Sequence, residues 1–231
     1  MGDEHDRDER QRSSWDANAS AWTRALRGGT MEVRERLTNA AVLAAVRRSG
    51  PATVLDVGCG EGWLVHALAA EGRDAVGIDA SEALLRAARE GPGRFEHGSY
   101  LDLIGRDGWL AGPFDVAVCN FSVLGRDATP LFVALRDRVA AGGGRLVVQT
   151  LHPFSVVGDG PYRDGWREER FEALGAGFEP MPWFSRTLAS WSARMREAGF
   201  AWERVEEPTL PGAERPSSLV ITARPLEAAG R

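Results

Sequence analysis

Val54-Leu55-Asp56-Val57-Gly58-Cys59-Gly60-Glu61-Gly62-Trp63 decides the fold. A short apolar run ends in an acid, passes through glycines at alternate positions, and opens onto the helix-like stretch Glu61 to Ala70. That order of strand, glycine-rich turn and helix begins a parallel βαβ unit, and a turn without Cβ atoms lets the backbone approach a ligand closely. The alternation continues outward from this point. Ala75 to Asp79 reads as a strand. Ser81 caps a helix carrying Leu84, Leu85 and Ala88. Arg94 to Tyr100 is a weaker strand and Phe114 to Cys119 a strong one. Thr129-Pro130 opens a helix with Leu131, Leu135 and Val139 on one face, because proline suits the first helical position. Gly142 to Gly144 end it, and Arg145 to Leu151 is a further buried strand. A helix over Phe184 to Ala198 and late strands at Trp202 to Glu206 and Ser218 to Ala223 complete the pattern. Strands separated by helices of this length predict an α/β fold with a doubly wound, mostly parallel sheet of seven strands.

Two regions break the rhythm. Before the first strand, Trp15, Ala19, Trp22 and Leu26 recur at helical steps, so Ser13 to Arg27 predicts a helix, and a second one spans about Thr30 to Arg48. Together residues 13–50 form a helical cap. Residues 1–12 are dense in charge, carry no apolar stretch of a signal peptide, and read as a disordered leader. After Leu151, the stretch 152–183 mixes glycines, prolines and aromatics without a period, the mark of a functional insert or a disordered loop. Residues 51–231 then make the main domain, with this insert on its substrate side.

Composition excludes several chemistries. The 231 residues carry a net charge of −5 and no lysine, which removes P-loop, kinase-type and Schiff-base lysines. Arginines are interspersed with acids, so nucleic acid is not expected as a partner, and no apolar run is long enough for a membrane span. Cys59 and Cys119 read as small buried residues of a reducing, cytoplasmic compartment; two cysteines cannot build a cysteine-rich zinc site.

Asp79 ends the second strand 23 residues after Asp56, where an acid can accept hydrogen bonds from both hydroxyls of a ribose. These features point to an adenosine-containing cofactor. A dinucleotide fingerprint needs glycine or alanine three residues after Gly60; that position is Trp63, and the third glycine is Gly62. With Asp56, Gly58, Gly60, Gly62, Asp79 and the stretch Asp115 to Asn120, the sequence resembles the class I, Rossmann-like S-adenosylmethionine-dependent methyltransferases over roughly Thr53 to Thr150. Trp15-Asp16, Asn18-Ala19, Trp22, Thr187-Leu188-Ala189, Trp191 and Ala198-Gly199-Phe200 resemble a bacterial subgroup acting on small molecules. The resemblance implies S-adenosyl-L-methionine as cofactor. It places Gly58, Gly60 and Gly62 at the methionine part, Asp79 with Ala80 at the ribose, Ser99-Tyr100 near adenine, and Asn120 and Phe121 beside the methyl group. Trp15 and Trp22 suit core packing and cofactor covering equally.

Methyl transfer is an in-line displacement that needs alignment and exclusion of water, helped by a base when the nucleophile is a hydroxyl. His152, just past the strand Arg145 to Leu151, is the candidate base, with a loop histidine bonded to backbone as the plain alternative. Tyr162, Trp166, Trp183 and Arg186 are candidate substrate contacts, with a solvated loop as theirs. No metal-ligand spacing is present. The expected function is methyl transfer to a hydroxyl, amine or similar nucleophile of a small molecule, in biosynthesis or secondary metabolism. The alternatives are a dinucleotide-binding protein, a methyltransferase fold recruited to a cyclisation or elimination, and an inactive scaffold.

Overall fold

The computed structural model describes residues 2–28, 34–106, 108–140, 143–174 and 177–227. Strands β1 (Thr53–Val57), β2 (Asp74–Asp79), β3 (Arg94–His97), β4 (Val116–Asn120) and β5 (Arg145–Leu151) are joined by β8 (Phe200–Glu206) and β9 (Ser218–Pro225). They form one seven-stranded sheet in the order β3-β2-β1-β4-β5-β9-β8. The first five are parallel, and β9 runs antiparallel to both β5 and β8. The two-residue side-chain period of a strand sorts the core into two layers. Val116 and Val118 pack with Val42 and Val46 of α2 (Asn39–Arg48) and Leu64 and Leu68 of α3 (Trp63–Ala70). Ala117 and Cys119 face the other way, with Phe132 of α6 (Thr129–Arg136) and Trp191 of α8 (Leu188–Glu197). The doubly wound sheet expected from the alternation is therefore the fold observed. Its strand order reverses between β1 and β4, which opens a crevice at the carboxyl ends of those strands.

Asp115, part of the stretch that resembles the methyltransferases, serves the sheet. Its Oδ2 accepts from Ala52 N at 2.8 Å, Thr53 N at 2.9 Å and Thr53 Oγ1 at 3.1 Å, tying the start of β1 to the start of β4. The Thr53 and Ala52 amides hold its carboxyl below the ordinary aspartate range. A lowered folded-state pKa stabilises above the unfolded value and is lost as pH falls through the folded one. Asp115→Ala is expected to cost about 2–4 kcal/mol in urea unfolding at neutral pH. The gap to wild type should shrink as the buffer is taken down through the aspartate range.

Three expectations need correction. The predicted strand Arg94 to Tyr100 stops at His97, because Ser99 and Asp102 form a capping box that starts α5 (Tyr100–Gly105). The helix predicted from Phe184 begins at Leu188, where Thr187 Oγ1 accepts from Ser190 N. The leader expected to be disordered is helical: α1 runs from Gly2 to Arg27. It is held from outside, with the Arg7 guanidinium over the Trp166 ring at 5.8 Å. The helix expected from Thr30 begins with a π-helical turn, Arg34–Thr38, that runs into α2; residues 30–33 lie outside the described residues, as does the Leu26 side chain.

The insert is built, not loose. It contains α7 (Pro153–Val157) and an antiparallel hairpin of β6 (Gly165–Glu169) and β7 (Met181–Ser185). Asn18 of α1, 0% exposed, bonds both backbone groups of Glu179 in the loop before β7: Nδ2 donates to the carbonyl at 2.9 Å and Oδ1 accepts from N at 2.7 Å. Trp22 meets Trp15 and Phe171 edge to face at 5.4 and 5.9 Å. Cap and insert thus close over the carboxyl ends of the strands as one lid. Among the described residues, no helix is long and apolar enough to cross a membrane.

Candidate active site

A cavity of about 1110 Å³ lies where the switch point predicts. Its floor is the turn after β1. Gly58 and Gly60 line it, and Asp56 closes its base, 2% exposed. A Cβ on Gly58 would stand 2.5 Å from Ser122 Cβ, so the turn packs tightly on the loop after β4. A Cβ on Gly60 would meet nothing within 4 Å and would project into open space at the cavity wall. Gly62 behaves differently. Its Cβ would meet Phe95 at 2.7 Å and Ala88 at 3.0 Å, and it does not line the cavity. The missing Cβ there lets α3 pack closely on its neighbours.

Asp79 enters from the end of β2. Its Oδ2 accepts from Gly60 N at 2.9 Å and its Oδ1 from Ser81 N at 2.8 Å, so the glycine turn and the start of α4 (Glu82–Ala88) orient the carboxylate. Burial pushes its pKa up against those hydrogen bonds, with the nearby charge of Asp16 adding to the rise. Ala80 lines the wall beside it.

Ser99 and Tyr100 form the next wall. The Tyr100 hydroxyl donates to the Ser122 carbonyl, and burial raises its pKa, so it stays a neutral donor. Asn120 and Phe121 line the cavity from the end of β4. Asn120 Oδ1 is buried with no hydrogen-bond partner among the described residues, an orphan acceptor beside the cavity. Phe121 holds φ of 53°, a conformation that non-glycine residues adopt at a cost. Trp22 and Trp15 cover the opening from α1. Cys59 and Cys119 are free, buried and raised in pKa chiefly by that burial, so neither supplies a thiolate.

A second chamber of about 550 Å³ adjoins the first. Leu151, Glu169, Trp183 and Ser217 line both. Trp166 and Trp183, expected at the substrate, are here. His152 also lines this chamber, not the larger cavity, and is 3% exposed. Its Nδ1 accepts from Phe154 N at 3.3 Å, which leaves the proton on Nε2 to donate to Glu207 Oε1 at 2.8 Å. Both ring nitrogens are engaged, and the helix cap it forms for α7 is the role that geometry shows. Arg186 and Tyr162 line neither cavity. Arg186 is 2% exposed, donates to the carbonyls of Gly125 and Arg126, and stacks on Trp191 at 4.9 Å. It fixes the loop that borders the cavity. The Tyr162 hydroxyl accepts from Leu188 N at 2.9 Å, at the first turn of α8.

Asp16 of the Trp15-Asp16 motif lines the site from α1, and Glu169 and Phe171 of the insert line it without having been singled out from sequence. Their signal is tertiary: each reaches the cavity only because α1 and the hairpin fold over it.

A doubly wound sheet, a glycine turn at its switch point and an oriented acid after β2 define a Rossmann-like domain with a site for an adenosyl group. Residues 54–144 match the family model described as a methyltransferase domain. An uncharacterised methyltransferase of Schizosaccharomyces pombe is 28% identical over 182 residues, 74% of this chain and 67% of that protein. The malonyl-[acyl-carrier protein] O-methyltransferase of Erwinia pyrifoliae is 29% identical over 143 residues; the match spans 58% of this chain and about half, 51%, of that relative. The solved structure of an S-adenosylmethionine-dependent methyltransferase from Mesorhizobium loti superposes with a TM-score of 0.60 at 25% identity, covering 78% of this chain and 96% of that one. Over its methyltransferase-domain match and in its fold the chain is similar to the S-adenosylmethionine-dependent methyltransferases.

Proposed function

We propose that the protein methylates a hydroxyl, amine or similar nucleophile of a small molecule held in the two joined chambers. The observation that carries this reading is room: the larger cavity alone, at about 1110 Å³, exceeds what a single drug-sized ligand takes, and the second chamber extends it. One structurally similar methyltransferase holds 1,6-didemethyltoxoflavin with S-adenosylhomocysteine, and another is a magnesium protoporphyrin IX methyltransferase with S-adenosylhomocysteine bound.

The residues present fit the cofactor. Asp79 would accept from the ribose hydroxyls, the missing Cβ of Gly60 leaves space for the ligand, and the orphan Oδ1 of Asn120 would accept from a ligand N–H. When bound, S-adenosylmethionine supplies an electrophilic methyl group on a sulfonium. The protein's share is alignment and dryness: Trp15, Trp22 and Phe171 cover the cavity, and the Asn18 bonds hold cap and insert together over it.

Calorimetry with S-adenosylhomocysteine and with NAD tests the cofactor, and methyl-labelled S-adenosylmethionine with a panel of phenols, amines and acids tests the transfer. Binding of the homocysteine product alone, and label appearing in a small molecule, support the reading. NAD binding without S-adenosylhomocysteine binding overturns it. His152, with both nitrogens engaged, is expected to matter as a cap: His152→Ala should lower the melting temperature by a few degrees, about 1–2 kcal/mol. Affinity for S-adenosylhomocysteine should stay unchanged in the same calorimeter.

A further inference from the structure

The inner face of the β6–β7 hairpin carries an arginine with no hydrogen bond or ion pair among the described residues. Arg167 pairs in register with Trp183, and Glu169 with Met181. Cross-strand partners share a face of an antiparallel ribbon, as do residues two apart on one strand. Arg167, Glu169, Met181 and Trp183 therefore lie on one face, and Glu169, Met181 and Trp183 of that set line the large cavity. Arg167 lines only the smaller chamber, one pleat repeat, about 7 Å, farther from the cofactor side than Glu169.

Neither neighbouring carboxylate pairs with Arg167. Glu168 pairs with Arg170 at 2.6 Å, and Glu169 Oε1 accepts from the amides of Arg170 and Phe171 at 3.1 and 2.9 Å. Arg167 makes no hydrogen bond or ion pair among the described residues, and its Nε is buried without a partner. The indole Nε1 of Trp166, lining the same chamber, is likewise buried and unpartnered. A half-buried guanidinium is costly unless an anion meets it, and its planar fork matches a carboxylate. Trp183, on the same face as Arg167, offers flat apolar surface.

We propose that the acceptor is a small, flat organic carboxylate, anchored by Arg167 in the smaller chamber with its body against Trp183. The carboxylate then sits at the far end from the cofactor cavity. The nucleophile lies at the junction lined by Leu151, Glu169, Trp183 and Ser217, where the second oxygen of Glu169 is available to a donor hydroxyl or amine. The methylated atom is therefore a hydroxyl or amine about 7 Å from the carboxylate, and the carboxylate itself leaves unmodified. This inference rests on the proposed methyl transfer and specifies its substrate class.

Calorimetry on the full chain saturated with S-adenosylhomocysteine tests it, with 4-hydroxybenzoate and 4-aminobenzoate as probes and their neutral benzamides as controls. The acids are expected to bind at least about tenfold more tightly than the amides. Arg167→Met should remove that preference while leaving affinity for S-adenosylhomocysteine at the wild-type value. Arg167→Lys keeps charge without the fork and should retain part of it, which carries the test if the methionine variant does not fold. Equal binding of acids and amides, no binding of any acid, or an undiminished acid preference in the variants overturns the proposal. Failure of S-adenosylhomocysteine itself to bind would instead overturn the cofactor reading, and the acids are titrated without it to keep the two results apart.

Discussion

Asp79→Ala is expected to weaken S-adenosylhomocysteine binding by at least about tenfold and by as much as several hundredfold. The side chain stands at the carboxyl end of β2, each oxygen already oriented by one backbone amide, Gly60 N at 2.9 Å and Ser81 N at 2.8 Å. That leaves lone pairs on both oxygens for a vicinal diol, which is why the proposed ribose contact is bidentate. A hydrogen bond to a charged acceptor contributes roughly 1.5–3 kcal/mol; the loss of one at the low end sets the lower bound, and the loss of two at the low end, about 3 kcal/mol together, reaches a few hundredfold. Burial raises the pKa of Asp79, so its charge is held in a poorly solvated place and a ligand that shields it gains accordingly. The alanine variant also frees Gly60 N and Ser81 N, and some loss of stability is expected with the loss of affinity. Asp79→Asn separates the two effects: it keeps an acceptor for one amide and loses the charge, so it should fold nearly as well and still bind several-fold more weakly. Calorimetry and thermal unfolding of both variants give the comparison. An unchanged dissociation constant in Asp79→Ala would remove the acid from the ribose site.

What the sequence made legible follows from periodicity. Thr53 to Val57 and Arg145 to Leu151 are the observed strands to the residue, because strands covered on both faces read as apolar runs bounded by glycine and polar residues. Asp79 was legible for a related reason: the end of a parallel strand points into the crevice, so its position along the chain fixes its place in space. The hairpin was not legible. β6 reads Gly165-Trp166-Arg167-Glu168-Glu169, a strand with little apolar alternation, and it pairs only with β7, away from the main sheet. Its burial comes from β7, through Met181 and Trp183. The first turns of α1, ahead of the predicted start at Ser13, were illegible in the same way: no apolar period announces them, and their anchor is Arg7 on Trp166, a partner far away in sequence. Arg186 and Tyr162 lay in the right segment, but residue type does not say which side of the insert a side chain takes. Their hydrogen bonds to backbone at Gly125, Arg126 and Leu188 turn them away from the chambers.

The glycine turn shows how a motif read as one unit divides in space, and it gives the largest expected effect on stability. Gly62→Ala is expected to lower the unfolding free energy by about 2–5 kcal/mol, a drop of roughly 5–15 °C in melting temperature for a domain of this size. Gly62 caps α3 at φ of 82°, a left-handed conformation that costs any other residue about 1–2 kcal/mol. The added Cβ would also stand 2.7 Å from two ring carbons of Phe95 and 3.0 Å from Ala88 Cβ. Phe95 is edge to face with His66 at 5.5 Å, and Ala88 is fully buried, so neither neighbour can yield without disturbing α3 or α4. Gly60→Ala pays the conformational cost, at φ of 58°, but its Cβ meets no protein atom within 4 Å. Its expected loss of stability is about 1–2 kcal/mol, with a fall in S-adenosylhomocysteine affinity of at least about tenfold, because the methyl group occupies space assigned to the ligand. The two variants should therefore trade places between thermal unfolding and calorimetry: Gly62→Ala is the less stable, and, measured well below its melting temperature, the tighter binder. If Gly62→Ala lost affinity as Gly60→Ala does while keeping wild-type stability, Gly62 would be at the cofactor after all, and the division of the motif drawn from the cavity wall would be wrong.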